Sequence, residues 1–261
     1  MMELAAYYGR ERVRGSVYLA AAMSLLAAMV IWVYPSFADT FGEDELLEAY
    51  PPQVLQVFDI ETMSSIEGFL SFELYTFGWV ILLGLYLAYL AAGTIADDVD
   101  RERTDVLLTL PISRASVVAQ TFAALAVPIV VVNVITPVVV FVSTRLVDHP
   151  IGVADLAAVH VFSIPYLFAC AAIGLLASVV ASRAAIAQRV ALGAIFGLYM
   201  LESLLEGTDY EIVGAISPTR YYDPNAILLD AEYDLVGAGI LVAATIVLVV
   251  VSQLWFRRRD V

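Results

Sequence analysis

Apolar runs of about 18 residues or more recur along this chain, and each is long enough to cross a hydrocarbon core of about 30 Å as a helix. That one pattern removes most folds from consideration. Inside lipid a backbone must satisfy its own hydrogen bonds, so repeated apolar runs of this length read as transmembrane helices. The composition agrees, with 61% hydrophobic residues and only 15% charged. The expected fold is an all-α polytopic membrane protein, a single unit over 1–261 with no clear internal repeat. Six spans are predicted, at 16–34, 74–96, 116–142, 157–181, 185–201 and 236–255, the fifth being the shortest.

Arginine placement orients these spans, because basic residues are retained on the cytoplasmic side. Arg10, Arg12 and Arg14 precede the first span, Arg101, Arg103 and Arg114 lie between the second and third, Arg183 and Arg189 between the fourth and fifth, and Arg257, Arg258 and Arg259 follow the sixth. Only Arg145 and Arg220 fall on the other side. Both termini are therefore expected in the cytoplasm. Short amphipathic helices are expected at the interfaces. Residues 1–15, with Leu4, Tyr7 and Tyr8 among arginines, read either as a helix lying on the inner interface or as a charged flank that only sets orientation. Outside, 35–73 carries nine acids and no base, with an amphipathic helix around 44–58 broken at Pro51-Pro52. The second outer segment, 205–235, is turn-rich, and its Tyr221 and Tyr222 suit the headgroup level.

Charge carries a second message. Lysine is absent, all 13 basic residues are arginine, and 27 acids give a net charge of −14. Acid excess of this kind fits a high-salt environment, where the screening length falls to about 3 Å at molar salt, and it points to a haloarchaeon. Acidic loops then need no cationic ligand to explain them. The single cysteine, Cys170, lies in an apolar run, so no internal disulfide forms. His149 and His160 have no cysteine or further histidine nearby and read as structural rather than metal-ligating.

Chemistry within the spans is sparse. Asn133, in the third span, reads as a packing polar group before a substrate contact, and Glu202 stands at an outer end. No nucleophile–base set or metal cluster stands out, and few acids lie within the spans, which argues against an ion-driven carrier. A phosphate-binding loop needs a lysine, so ATP hydrolysis must come from another chain. Gly193 and Gly197 form a GxxxG pair that serves either packing within the chain or a second copy. Pro128 and Pro137 in the third span, and Pro165 in the fourth, each remove a backbone donor and create a possible kink or hinge.

The connection between the second and third spans, 97–115, is the most distinctive stretch. Asp97, Asp98, Asp100, Arg101, Glu102, Arg103 and Asp105 place seven charges in nine residues. The apolar run Val106, Leu107, Leu108 and Leu110 follows, then Pro111 and an Ile-Ser-Arg step ending at Arg114. A charged cluster fused to an apolar ridge suits a cytoplasmic docking surface.

Four pieces of sequence resemble one family. ERVRGSVYLAAAMSLLAAMVIWVYPSF looks like an interfacial helix and first span, RTDVLLTLPISRASVV like a cytoplasmic coupling loop, SPTRYYDPNAIL like the segment before a last span, and FRRRDV like its ending. In this order they resemble the permease subunits of type-2 ABC transporters, in the group that includes the nitrous-oxide-reductase maturation permease. Gln120 departs from the pattern, standing where relatives commonly carry a lysine, a change that fits the loss of lysine throughout. The resemblance implies a partner ABC ATPase, a second permease copy (the same chain or a related one), contact with membrane lipid and no nucleic acid. It also implies a multi-pass protein of the cell membrane that is not itself an enzyme. No cofactor would be bound by this chain, ATP and Mg residing in the partner. Mapped here, Asp97 to Arg103 would be polar docking residues, Val106, Leu107, Leu108 and Leu110 the apolar anchor, and Arg114 a group at the membrane surface. Export driven by the partner ATPase is the leading expectation. The alternative is a scaffold that couples ATP hydrolysis to maturation of an external protein.

Overall fold

The computed structural model describes residues 3–40, 51–100 and 113–258. All its regular structure is helical, and six helices are long and apolar enough to cross a membrane: Leu4–Ala38, Ile66–Asp100, Arg114–Leu146, Val153–Val180, Ala184–Leu205 and Leu235–Arg258. Six spans were expected, and six stand.

The fourth span is the hub. It packs against the second, third, fifth and sixth, while the first pairs along its length with the third. Its sequence explains the position. VADLAAVHVFSIPYLFACAAIGLLASVV is apolar on all sides and rich in alanine, so neighbours approach from every direction. Gly174 takes this furthest, since a Cβ there would sit 2.9 Å from Ala88 C and Cα of the second span. The backbones are already in contact. The sixth span is less enclosed, with Val236, Ile246, Val247 and Trp255 facing outward as lipid-facing residues do.

Several boundaries differ from the expected ones. The first helix runs unbroken from Glu3 to Thr40, 38 residues or about 57 Å, so residues 3–15 continue the span rather than forming a separate interfacial helix. Gly15 stands at the expected junction but stays within the helix and does not end it. The second span begins at Ile66, because Ser65 accepts a hydrogen bond from Gly68 N–H and caps the helix eight residues before the expected start at 74. Within it, Ser71–Leu83 winds as a π-helix before the α-helix Gly84–Asp100. π-Helical winding is rare in this length and recurs where function is placed.

The third span is broken at Ala124 and Leu125, between helices Arg114–Ala123 and Ala126–Leu146. Pro128 accounts for the break: its ring cannot accept the helical carbonyl four residues back, which is that of Ala124. Pro137 and Pro165 lie inside continuous helices. Of the expected outer helix at 44–58, the structure describes Pro52–Val57, with residues 41–50 outside the described set.

Candidate functional site

The even number of spans brings the start of the first and the end of the sixth to one end of the bundle. There the expected docking residues divide. Asp97, Asp98 and Asp100 occupy the last turn of the helix Gly84–Asp100 rather than a free loop. Arg114 opens the third span, directly after Ser113, whose Oγ accepts from Ser116 N–H at 3.2 Å. The Ser-Arg step is thus a helix cap with a cation behind it. Arg101, Glu102, Arg103, Asp105, Val106, Leu107, Leu108 and Leu110 lie outside the described residues.

Tyr8 O–H donates to Asp98 Oδ2 at 3.4 Å. The same end is tied across spans. Gln120 Oε1 accepts from the backbone N–H groups of Leu4 and Ala5 at 3.2 and 3.3 Å, and its Nε2 donates to Ser116 Oγ at 2.9 Å. Gln253 Nε2 of the sixth span donates to Ala115 O at 3.2 Å. Gln120 is therefore more than a residue left by lysine depletion. The first amides of a helix lack internal acceptors, and an amide oxygen satisfies two of them where an ammonium could not.

Deep in the bundle Asn133 gathers a second set of groups. Its Oδ1 accepts from Trp79 Nε1–H at 3.3 Å, from Ser163 Oγ at 3.0 Å and from His160 Nδ1 at 2.9 Å. Its Nδ2 donates to Ile129 O at 3.0 Å, which fixes the amide orientation. A carbonyl oxygen only accepts, so His160 carries its proton on Nδ1 and leaves Nε2 to accept from Tyr75 O–H at 3.3 Å. Tyr75, Trp79 and His160 also meet edge to face, with Trp79 and His160 ring centroids 5.0 Å apart. Every polar atom in this set has a partner, so the cluster locks three spans together and holds no free acid or base. Asn133 ties the third span to the second and fourth. His160 is structural too, and it is the centre of that packing.

Beside the cluster a cleft of about 330 Å³ opens between the third and fourth spans, with Asn133 and His160 on one side and Pro137, Val138, Phe141 and Ile164 lining the rest. Pro137 has no N–H, so the backbone carbonyl of Asn133, four residues earlier, lacks its helical donor.

The glycine pair finds no partner among the described residues. A Cβ at Gly193 or Gly197 would meet nothing within 4 Å, so the face of the fifth span that carries them points outward. Tyr222, expected at the headgroup level, is instead buried, donating to Val159 O at 3.0 Å and stacking on Tyr166 at 5.4 Å. A tyrosine pair in a turn-rich segment reads as an interfacial anchor, but the turn folds back into the bundle and takes the ring with it. Among the described residues no group of three or more His, Cys, Asp or Glu side chains is placed to hold a metal ion.

Comparison with known proteins adds one finding. The family model described as ABC-2 family transporter protein matches residues 9–261. No curated protein matches the chain.

Proposed function

The chain belongs to the ABC-2 family of transporter proteins, as a multi-pass permease, and from that premise we propose that it is the membrane subunit of an ATP-driven exporter. The observation that carries this reading is the combination of a family match over nearly the whole chain with the complete absence of lysine. A transporter of this family that cannot form a phosphate-binding loop draws its energy from a separate ATPase, which binds ATP and Mg. The arginine distribution supports placing the end that bears the termini in the cytoplasm of the cell, at the plasma membrane.

The connection 97–115 is then the coupling contact. Asp97, Asp98 and Asp100 would offer charge at the helix end, and Val106, Leu107, Leu108 and Leu110 an apolar ridge to seat in the ATPase. Nucleotide binding moves the membrane subunit only if the docked ATPase states hold its inward-open and outward-open forms with different affinity. The outward face of the fifth span, with Gly193 and Gly197, would receive a second permease copy, since small residues let helices approach closely. The pieces quoted from the sequence favour the group that includes the nitrous-oxide-reductase maturation permease, and the missing lysine favours a haloarchaeal source.

The scaffold alternative needs a free outer surface. The described part of the first outer segment is instead bonded into the bundle: Tyr199 O–H donates to Val57 O at 2.6 Å, and Asn225 Nδ2 to Asp59 O at 2.6 Å. That favours transport. The test is co-expression with an ABC ATPase from the same organism. Leu107→Asp with Leu108→Asp should lose co-purification and transport-coupled ATPase activity while the protein still inserts. Intact coupling in that variant would overturn the role of the connection.

A further inference from the structure

At the end of the bundle opposite the termini, the segment around Asp59, the end of the fifth span and the stretch 211–224 enclose a chamber of about 250 Å³. Its wall carries the carboxylates of Asp59, Glu202, Glu206, Glu211 and Asp223 against one guanidinium, that of Arg220. Arg220 is already engaged, since Nη2 donates to Glu211 Oε1 and Nη1 to Glu211 O at 3.0 Å. Among the described residues the other four carboxylates form no ion pair.

Asp59, Glu202 and Glu211 are half-buried in the wall, while Asp223 and Glu206 reach the surface. Burial, and then repulsion from Asp223 and Glu206, pushes the Asp59 carboxyl up to about 7. Carboxylates gathered on one chamber repel one another, and a cation placed among them relieves that repulsion.

Thr76 supplies the independent observation. It lies in the π-helical stretch, is 5% exposed and lines the same chamber. A threonine within a helix normally returns its hydroxyl to a carbonyl three or four residues back, as Thr94 does to Ala91 O at 2.6 Å and Thr245 to Leu241 O at 2.8 Å. Thr76 makes no such bond and has no hydrogen-bond partner among the described residues. The residue is buried while its hydroxyl stays open to the chamber, so it can bond to whatever occupies that space.

We propose that this chamber binds a small organic ammonium ion, with Asp59 and Glu202 providing the counter-charge and the Thr76 hydroxyl accepting an N–H. A bare divalent metal fits less well, because no three of the carboxylates are placed to share one ion. The site stands apart from the coupling connection, so it holds whether the ammonium ion is cargo or effector.

The test uses the full chain in nanodiscs made only of anionic lipid without amine headgroups, titrated calorimetrically in molar KCl with 1,4-diaminobutane. Saturable binding is expected. Glu202→Gln and Thr76→Val should each weaken it by about tenfold, the size of one charge-assisted hydrogen bond. Tetramethylammonium, which has the charge and no N–H, should bind at least about tenfold more weakly. Unchanged thermal unfolding of both variants shows that the fold is kept. Absence of saturable binding, equal affinity for tetramethylammonium, or unaltered binding in both variants would overturn the proposal. Co-purification with the ATPase is measured separately, so loss of one result leaves the other standing.

Discussion

Gly174 is where the packing can be tested by a single methyl group. The fourth span lies on the second with the Gly174 backbone against Ala88, and a Cβ at Gly174 would come 2.9 Å from Ala88 C and Cα and closer still to its carbonyl oxygen. Ordinary carbon contacts begin near 3.5 Å, so the spans must part by roughly half an ångström or more. The obstructing atoms are backbone, and no rotamer relieves them. Overpacking of this kind costs about 1–3 kcal/mol, offset by up to about 1 kcal/mol from the better helix propensity of alanine. Gly174→Ala should therefore be net destabilising by about 1–2 kcal/mol.

Gly193→Ala and Gly197→Ala are matched controls, since their added Cβ meets nothing within 4 Å of the chain. Thermal unfolding of the purified protein in nanodiscs is the assay. At about 2–4 °C per kcal/mol for a chain of this size, Gly174→Ala should lower Tm by roughly 2–8 °C, with the controls unchanged or slightly raised in protein held as a monomer. A Gly174→Ala protein as stable as the wild type would refute backbone contact between these spans. A loss at Gly193 or Gly197 alone would mark the outward face of the fifth span as covered by a second copy in the assembly.

Two further perturbations probe the interior and the chamber. Asn133→Leu leaves both Trp79 Nε1–H and His160 Nδ1–H without their acceptor, while Ser163 keeps its bond to His160 O at 2.8 Å, so a cost of about 1–3 kcal/mol for each orphaned donor is expected. Adding Trp79→Phe should recover part of it, with a coupling of about 0.6–1.7 kcal/mol in a double-mutant cycle of unfolding, and additive losses would break the assigned pair. Asp59, with its carboxyl pushed from 3.8 up to about 7, binds a proton in the folded protein that the unfolded chain has released. Its contribution to stability therefore falls as pH climbs from about 4 to about 7 and is lowest above that window. Asp59→Asn should flatten this part of the Tm–pH profile and raise Tm at pH 8 relative to wild type. Glu61, Glu206 and Asp223 shift in the same direction and keep some slope in both proteins. A variant less stable than wild type at pH 8, with an unchanged slope, would show that Asp59 is not held protonated by its surroundings.

The spans were legible because each depends on local chain chemistry, a run of apolar residues long enough to cross lipid. What failed to show was anything set by distant partners. Gln120 read as a substituted lysine because the amides it caps lie 116 and 115 residues away. His160 read as a structural histidine, but its partners Tyr75 and Asn133 come from two other spans, and no spacing on the fourth span announces them. The early start of the second span did carry a signal: Ser65 with Glu67 in the first turn is an N-terminal cap, outweighed by the acids around it. Nothing in the sequence singles out Thr76, which lies within the π-helical stretch Ser71–Leu83.

The pairing of the first and third spans limits how the bundle can deform. Gln120 holds the beginning of the first helix, and Ser24 Oγ donates to Thr136 Oγ1 at 3.3 Å further along the same pair. Two fasteners at separate heights fix the register of two parallel rods. A slip of one residue, about 1.5 Å, would carry the donors at both heights away from their acceptors. The pair can tilt as a plank more easily than it can slide, so movement of these two spans within the bundle should proceed by rocking, with the turn at Ala124 and Leu125 as the natural place for the third rod to flex.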